Sequence, residues 1–294
     1  MLAASHECHY QKFMIVFKKA NELRDYIAKQ QSNGVSVGFA PTMGALHQGH
    51  SSLIDASKQI AGLTVCSIFV NPTQFNDPKD FQKYPIRIEN DIYILEKKGT
   101  DILFLPSVEE IYPDGTKNME DYELGYLETI FEGYYRPGHF QGVCQVMHRL
   151  LDIVKPDHLF MGQKDYQQCL VIKRLLQIME SGTAFHTCPT LREADGLAMS
   201  SRNIRLTEVE RKKAVAIYAS LSYLKKNLKP GDLTDLLQEA KKILVANNFR
   251  VDYIAIADSD NLKPVTNWNG QQKITGLVAA FQGEVRLIDN MVLN

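Results

Sequence analysis

The sequence has few cysteines and no long hydrophobic run. Its five cysteines, Cys8, Cys66, Cys144, Cys169 and Cys188, are odd in number and form no C-x-x-C pair, which argues against a disulfide framework or a cysteine metal site. We interpret them as small buried side chains in a reducing compartment. No apolar stretch approaches the roughly 20 residues that cross a bilayer, and no secretory signal is recognisable. We therefore expect a cytoplasmic protein without a membrane partner.

An excess of charge of one sign is also absent. The 294 residues include 33 Lys and Arg against 34 Asp and Glu, for a formal net charge of −1. This balance argues against a protein that mainly binds a nucleic-acid backbone, although it allows a local basic pocket. The composition, 45% hydrophobic and 23% charged, is ordinary for globular proteins. The length suggests about two domains.

The first two thirds of the chain show the pattern of an α/β fold. From residue 34 to about 190, short apolar runs alternate with helical periodicity, which is typical of βαβ units and a parallel sheet. Ligands of such doubly wound sheets bind at the carboxyl ends of the strands. Motifs that follow strands should therefore lie close together. The predicted strands are 35–40, 63–70, 101–105, 158–161 and 185–190.

The remainder has a different pattern and predicts a smaller α+β region. Thr207 and Glu210 form the sequence pattern of a capping box ahead of a helix, and a second helix is predicted to end near residue 246. Strands are predicted at 251–257 and 277–281. Residues 1–13 have no clear periodicity and are expected to form a frayed or loosely docked arm.

The usual phosphate-binding motifs, G-x-x-x-x-G-K-[ST] and G-x-G-x-x-G, do not occur. Instead, His47 and His50 flank Gly49 between the strand 35–40 and the next helix, where backbone N–H groups and the helix dipole attract phosphate. Gly44 and Gly49 would let the backbone approach a ligand. The alternatives are a polar turn with two solvated histidines and a metal site, although no third ligand lies nearby.

Further segments carry candidate residues, and some of these segments follow predicted strands. Gly162 to Asp165 follows the strand 158–161, where a lysine can meet phosphate and a carboxylate can accept from ribose; a plain charged turn is the alternative. Met199 to Arg202 offers two hydroxyls and a guanidinium. Gln74 and Gln168 are neutral amides that suit a small polyhydroxy acid. Arg136 to His139 is either an anion contact or a turn.

Five co-linear blocks, PTMGALHQGH, SIFVNPTQF, RPGHFQGV, MGQKDYQQ and PTLREADGLAMSSRN, together resemble the pantothenate synthetase (pantoate–β-alanine ligase) family. The resemblance implies a Rossmann-like nucleotidyltransferase domain at 14–188 that binds ATP and pantoate, and a smaller C-terminal domain at 189–294 that closes over the site. It also implies a homodimer. The implied reaction depends on ATP and Mg²⁺ and joins pantoate to β-alanine through a pantoyl adenylate.

The resemblance also implies residue roles. His47, His50 and Lys164 would be catalytic, and the imidazoles are interpreted as stabilising phosphate charge, since a carboxylate nucleophile has no proton to lose. Asn71, Gln74 and Gln168 would bind pantoate or β-alanine, and no protein ligand of the metal is predicted. The implied ATP-binding residues are Met43, Gly44, His47, His50, Gly162, Lys164, Asp165, Leu191, Met199, Ser200, Ser201 and Arg202.

Ile86 and Gln163 depart from the family pattern. Two other functions stay open. A simple nucleotidyltransferase would need a second basic cluster for its acceptor, whereas Gln74 and Gln168 are neutral. A catalytically silent nucleotide-binding or scaffold protein would have little reason to keep both histidines with the lysine and the arginine.

Overall fold

The computed structural model describes residues 13–117 and 119–294, with only the backbone of Lys79. The arm predicted at 1–13 lies outside the described residues apart from Phe13.

A parallel six-stranded sheet organises the first part of the chain. Its strands are β1 (Ile15–Phe17), β2 (Val37–Thr42), β3 (Leu63–Ile68), β4 (Ile102–Phe104), β5 (His158–Gly162) and β6 (Ala184–Cys188). Strands β2 to β6 confirm the five predicted ones with small shifts at their ends. The short strand β1 was not predicted, since three residues carry too little pattern to recognise.

The strand order is β1-β4-β3-β2-β5-β6, and every pair in it is parallel. The chain winds outward from β2 to β4, then returns to the other side of β2 for β5 and β6. The order therefore reverses between β2 and β5. A crevice outside the carboxyl ends of these two strands is the expected ligand site of such a sheet.

Helices cover both faces of the sheet, which makes the predicted α/β class correct. Helices α1, α7 and α8 pack into one large core, and α2 and α4 pack into a second core on the opposite face. The helices of this part are α1 (Ala20–Ser32), α2 (Gln48–Ile60), α3 (Pro78–Gln82), α4 (Ile88–Lys97), α5 (Val108–Ile111), α6 (Phe131–Tyr135), α7 (His139–Val154) and α8 (Tyr166–Ile178).

The rest of the chain forms a separate antiparallel sheet with its own core. Strands β8 (Phe249–Asp258), β10 (Ile274–Gln282) and β11 (Val285–Val292) pair in the order β11-β10-β8, while β7 (Gly231–Asp232) pairs with β9 (Asn267–Trp268). The helices are α9 (Glu208–Ala214), α10 (Ala216–Asn227) and α11 (Thr234–Ala246). The capping box is confirmed, because Thr207 Oγ1 accepts from the Glu210 N–H at 3.3 Å. Strand β11 was missed.

Two contacts bring the C-terminal sheet against the edge where β2 and β5 end. The Asn290 side chain on β11 donates to the carbonyls of Gln163 and Lys164, at 2.9 Å each. Ser201 Oγ donates to the Ala45 carbonyl at 3.0 Å. None of the described helices has the length and apolarity to cross a membrane.

Candidate active site

A cavity of about 210 Å³ lies at the carboxyl ends of β2 and β5. All but one of the predicted site residues line it: Met43, His47, His50, Asn71, Gln74, Gly162, Lys164, Asp165, Gln168, Leu191, Met199, Ser200, Ser201 and Arg202. Groups predicted at four separate points of the sequence therefore share one space. The exception is Gly44.

Gly44 shapes the turn that leads to the histidines. Its φ is +82°, and a Cβ there would lie 3.0 Å from Asp91 Oδ2. The fully buried Asp91 carboxylate accepts from the N–H groups of Ala45 at 2.8 Å and Leu46 at 2.7 Å. Burial raises the pKa of Asp91, and the two backbone N–H groups oppose that shift. The sequence does not indicate this supporting role, because Ala45 and Leu46 are 46 and 45 residues away from Asp91.

The two histidines form a reciprocal cap at the start of α2. His47 Nδ1 accepts from the Gly49 N–H at 3.1 Å, and His50 Nδ1 accepts from the His47 N–H at 3.3 Å. Because each Nδ1 accepts, each neutral ring carries its proton on Nε2. A Cβ on Gly49 would lie 2.9 Å from His47 Cε1. A side chain at position 49 would therefore displace the His47 ring.

Burial keeps both rings uncharged near neutral pH. Desolvation, followed by the nearby Lys164 charge, lowers the pKa of His47 to about 4. Desolvation, His47 and Lys164 together hold the pKa of His50 well below its usual value. Two neutral Nε2–H groups and one ammonium are thus available as donors. Such a set can stabilise an anion without giving up a proton from a ring.

Lys164 and Asp165 lie on the single 3-10 turn that follows β5 (Gln163–Asp165). Lys164 Nζ is 3.8 Å from Asp165 Oδ1, and the lysine side chain is largely buried. Asn290 holds this turn through two carbonyls. Gln163 contacts the Asn290 side chain at 3.4 Å and is not among the described residues that line the cavity.

Three amide side chains also line the cavity, those of Asn71, Gln74 and Gln168. Gln74 Nε2 donates to Met43 Sδ at 2.9 Å, and Gln168 lies on α8, one helical turn after Lys164. The Asn71 amide is already occupied, because its Nδ2 donates to the Gly142 carbonyl at 3.0 Å and its Oδ1 accepts from Tyr112 at 2.8 Å. Asn71 therefore supports the turn that carries Gln74. The apolar part of the lining includes Val143, Val146, Met147, Leu150 and Met161.

The segment from Leu191 to Arg202 closes the cavity from the C-terminal side. The Leu191 carbonyl accepts from the Met199 N–H at 3.0 Å. Ser200 Oγ caps the following 3-10 turn by accepting from the Arg202 N–H at 3.3 Å. Arg202 is ion-paired with Asp80 at 2.7 Å, so an incoming anion would compete with a carboxylate for its guanidinium.

Other lining residues were not predicted as ligands. Tyr84 packs under Arg202, with the guanidinium carbon 5.8 Å from its ring centroid. Thr190 Oγ1 is buried and has no hydrogen-bond partner among the described residues. Arg136 and His139, left open between an anion contact and a turn, both line the cavity at the start of α7. The sequence could not decide between these two alternatives, because the contact of His139 with the Gln74 carbonyl joins residues that are 65 positions apart.

A wider charged cleft of about 820 Å³ adjoins the cavity. Lys164, Asp165, Ser200 and Arg202 border both spaces. Residues from both parts of the chain line the cleft, so it lies between them.

Comparisons with known proteins agree with this geometry. A family model described as Pantoate-beta-alanine ligase matches residues 15–292. The pantothenate synthetase of Cytophaga hutchinsonii is 43% identical over 285 residues, which is 95% of this chain and 99% of that protein. The crystal structure of pantothenate synthetase from Thermus thermophilus is 38% identical with a TM-score of 0.87, over 95% of this chain and 99% of the other.

A further structure is pantoate-beta-alanine ligase from Francisella tularensis, complexed with beta-gamma ATP and beta-alanine. It is 36% identical, with a TM-score of 0.79, and covers 95% of this chain and 98% of its own. Since the family model and these relatives match nearly the whole length, the chain belongs to the pantoate–β-alanine ligase family.

Proposed function

We propose that this protein condenses pantoate with β-alanine in an ATP-dependent reaction that yields pantothenate, AMP and pyrophosphate through a pantoyl adenylate. The observation that carries the proposal is the cavity itself, whose lining includes two neutral imidazoles, Lys164 and the amides of Gln74 and Gln168. One cavity thus offers donors for a phosphate together with donors and acceptors for a hydroxy acid. Family membership supports the same reaction.

In the first step, a pantoate carboxylate oxygen attacks the α-phosphorus of ATP. A new P–O bond forms, and the bond to the bridging oxygen breaks, so pyrophosphate leaves with the electron pair. The nucleophile has no proton to lose. His47 Nε2, His50 Nε2 and Lys164 Nζ are assigned to the negative charge that develops on the phosphate oxygens.

In the second step, the amine of β-alanine attacks the acyl carbon of the adenylate. The C–N bond forms, AMP leaves with the electron pair of the C–O bond, and the nitrogen loses one proton. The enzyme must hold the amine near the acyl carbon and keep water away from the mixed anhydride. The apolar wall of α7 and Met161 supports this exclusion.

ATP is assigned to the side of the cavity formed by the turn after β5 and the segment from Leu191 to Arg202. The Leu191 backbone would meet the adenine, Asp165 the ribose, and Ser200, Ser201 and Arg202 the phosphates, with Met43 and Gly44 on the turn after β2. The adjoining charged cleft leaves room for the triphosphate.

The division of the chain into an arm at 1–13, a domain at 14–188 and a C-terminal domain at 189–294 belongs to the same proposal. Contacts such as Ser201 to Ala45 support closure of the C-terminal part over the site. We expect a chain that begins at Met14 to keep full turnover. Loss of turnover in that chain would show that the arm is required.

Mg²⁺ is proposed to enter with ATP. This ion prefers oxygen ligands and usually combines one or two carboxylates with substrate phosphates. Among the described residues, Asp165 is the one acidic residue that lines the cavity, and its side chain is 49% exposed. Because Asp165 is assigned to the ribose, the ligands of the ion are proposed to be phosphate oxygens and water, with no protein ligand. When bound, the ion would withdraw charge from the phosphate oxygens.

A homodimer in the cytoplasm completes the proposal. The four described cysteines are buried free thiols, which is compatible with a reducing compartment. The dimer is implied by the family resemblance. Light scattering of the purified protein would test it.

The decisive assay measures AMP release from ATP with each substrate omitted in turn. We expect release only when pantoate and β-alanine are both present. Release that needs neither acid nor amine, or nucleotide transfer to a phosphorylated acceptor, would replace this proposal with the nucleotidyltransferase alternative.

A further inference from the structure

A buried histidine borders the proposed pantoate site. His139, the first residue of α7, is 5% exposed. Its Nδ1 is 2.8 Å from the Gln74 carbonyl, and its Nε2 is 2.9 Å from Arg136 NH1. A guanidinium only donates, so Nε2 accepts and Nδ1 carries the proton that it donates to Gln74.

Both ring nitrogens of His139 are therefore in use. Desolvation by burial, reinforced by the Arg136 charge, lowers the pKa of His139 to about 3, which leaves the ring neutral. A ring with no free nitrogen does not exchange a proton with a substrate. Its effect on the reaction must pass through the residue that it holds.

The contacts from Gln74 through His139 to Arg136 continue to side chains of the C-terminal sheet. Arg136 lies 3.7 Å from the buried Glu132 carboxylate. Arg286 on β11 donates to both oxygens of Glu132, at 2.7 and 2.8 Å, and Tyr253 on β8 donates to it at 2.9 Å. The charges are paired and hydrogen-bonded, as buried charges must be to remain stable.

We propose that His139 is a positioning residue, which fixes the backbone of Gln74 so that its amide meets the acid substrate, and which is itself held through Arg136 and Glu132 by the C-terminal sheet. The inference rests on the proposed function, because it assumes that Gln74 binds pantoate. It connects a residue at the acid site to side chains on β8 and β11.

Two polar substitutions separate the two contacts of the ring. In His139→Asn, the amide nitrogen reaches about as far as Nδ1 and can still donate to the Gln74 carbonyl. In His139→Gln, the amide reaches about as far as Nε2, so it keeps the Arg136 contact and loses the Gln74 contact. His148→Gln on the same helix is the matched control, since His148 contacts Tyr122 and Asp152 away from the cavity.

Steady-state constants for pantoate, ATP and β-alanine are measured for each variant, together with the thermal midpoint. We expect His139→Gln to raise the KM for pantoate about tenfold and to change the KM for ATP less than about twofold, as loss of one buried hydrogen bond predicts. The KM of His139→Asn for pantoate should stay within about threefold of the wild-type value. A larger rise of this KM in His139→Asn than in His139→Gln would overturn the inference.

A double-mutant cycle with Gln74→Ala tests whether His139 acts through Gln74. We expect His139→Gln to add little to Gln74→Ala, because the amide that it positions is already gone. If the increases in the KM for pantoate multiply in the double variant, His139 acts elsewhere. That result would overturn the inference about His139 and leave the proposed function in place. An unchanged KM for pantoate in Gln74→Ala would instead overturn the proposed acid site.

Discussion

The Asp91 carboxylate accepts a hydrogen bond of 2.7 Å from the Leu46 N–H, joining α4 to the turn that precedes the histidines. Its second oxygen accepts from Ala45 at 2.8 Å. One buried side chain on a neighbouring helix thus holds two successive backbone groups. The direction of His47 depends on this contact, because the same turn leads directly into α2.

Asp91→Asn should disturb this turn. One position that now accepts from an N–H would carry an NH2 group, leaving two donors facing each other. We expect a loss of stability of about 1–3 kcal/mol and a fall in kcat of at least about tenfold. Denaturant unfolding and turnover measure the two effects. Glu89→Gln, exposed on the same helix, is the control, and an equal effect in both variants would contradict the role given to Asp91.

Removing either Nε2–H donor should slow adenylate formation. We expect His50→Ala and His47→Asn to lose about 2.7–4 kcal/mol of transition-state stabilisation. Asparagine at position 47 can still accept from Gly49 and so keeps the helix cap, which separates chemistry from folding. Pyrophosphate release in a single turnover is the measurement. Near-normal release in both variants would remove the histidines from the first step.

Acidification should destabilise the protein before its carboxylates titrate. His47 and His139 have pKa values of about 4 and about 3 when folded, below the usual 6.5. The unfolded chain therefore binds more protons between these values, so stability falls as the pH drops below 6.5. We expect each histidine to contribute about 1 kcal/mol over the first pH unit. The measurement is the free energy of unfolding of the wild type and of His139→Gln at about pH 7 and about pH 5.5. The decrease in this free energy between the two pH values should be smaller in the variant.

Gly142→Ala should displace the turn that carries Gln74. A Cβ at Gly142 would lie 2.3 Å from the Thr73 carbonyl oxygen and 2.7 Å from Gln74 Cα, so backbone must move. Alanine stabilises a helix by about 1 kcal/mol relative to glycine. We expect the clash of its Cβ with the backbone of Thr73 and Gln74 to cost more than this gain. We expect the KM for pantoate to rise about tenfold or more. Gly182→Ala has open space around it and should behave as the wild type.

Local patterns in the sequence were sufficient for much of the fold. Apolar runs marked strands β2 to β6, and the capping box at Thr207 and Glu210 marked α9. These features depend on residues that are close together along the chain. Strands β1 and β11 were missed: β1 is too short to show periodicity, and β11 follows β10 with only a short turn between them.

Some residues of the candidate site could likewise be recognised from the sequence, whereas the role of others became clear only in the structure. His47 and His50 could be recognised because they share one short motif at a strand end, and the rule for parallel sheets predicted that Lys164 and Gln74 would join them. Gly44 was expected to approach a ligand, whereas the structure places it against Asp91.

The sequence by itself determined the alternation of strands and helices, the motifs at the strand ends and the family to which they belong. Tertiary structure alone decided that Asp91 supports the histidine turn and that Glu132, Arg136 and His139 connect β11 to Gln74. The physical reason is that each of these networks is completed by a partner distant along the chain. Burial then makes such a pairing obligatory, and no local pattern records it.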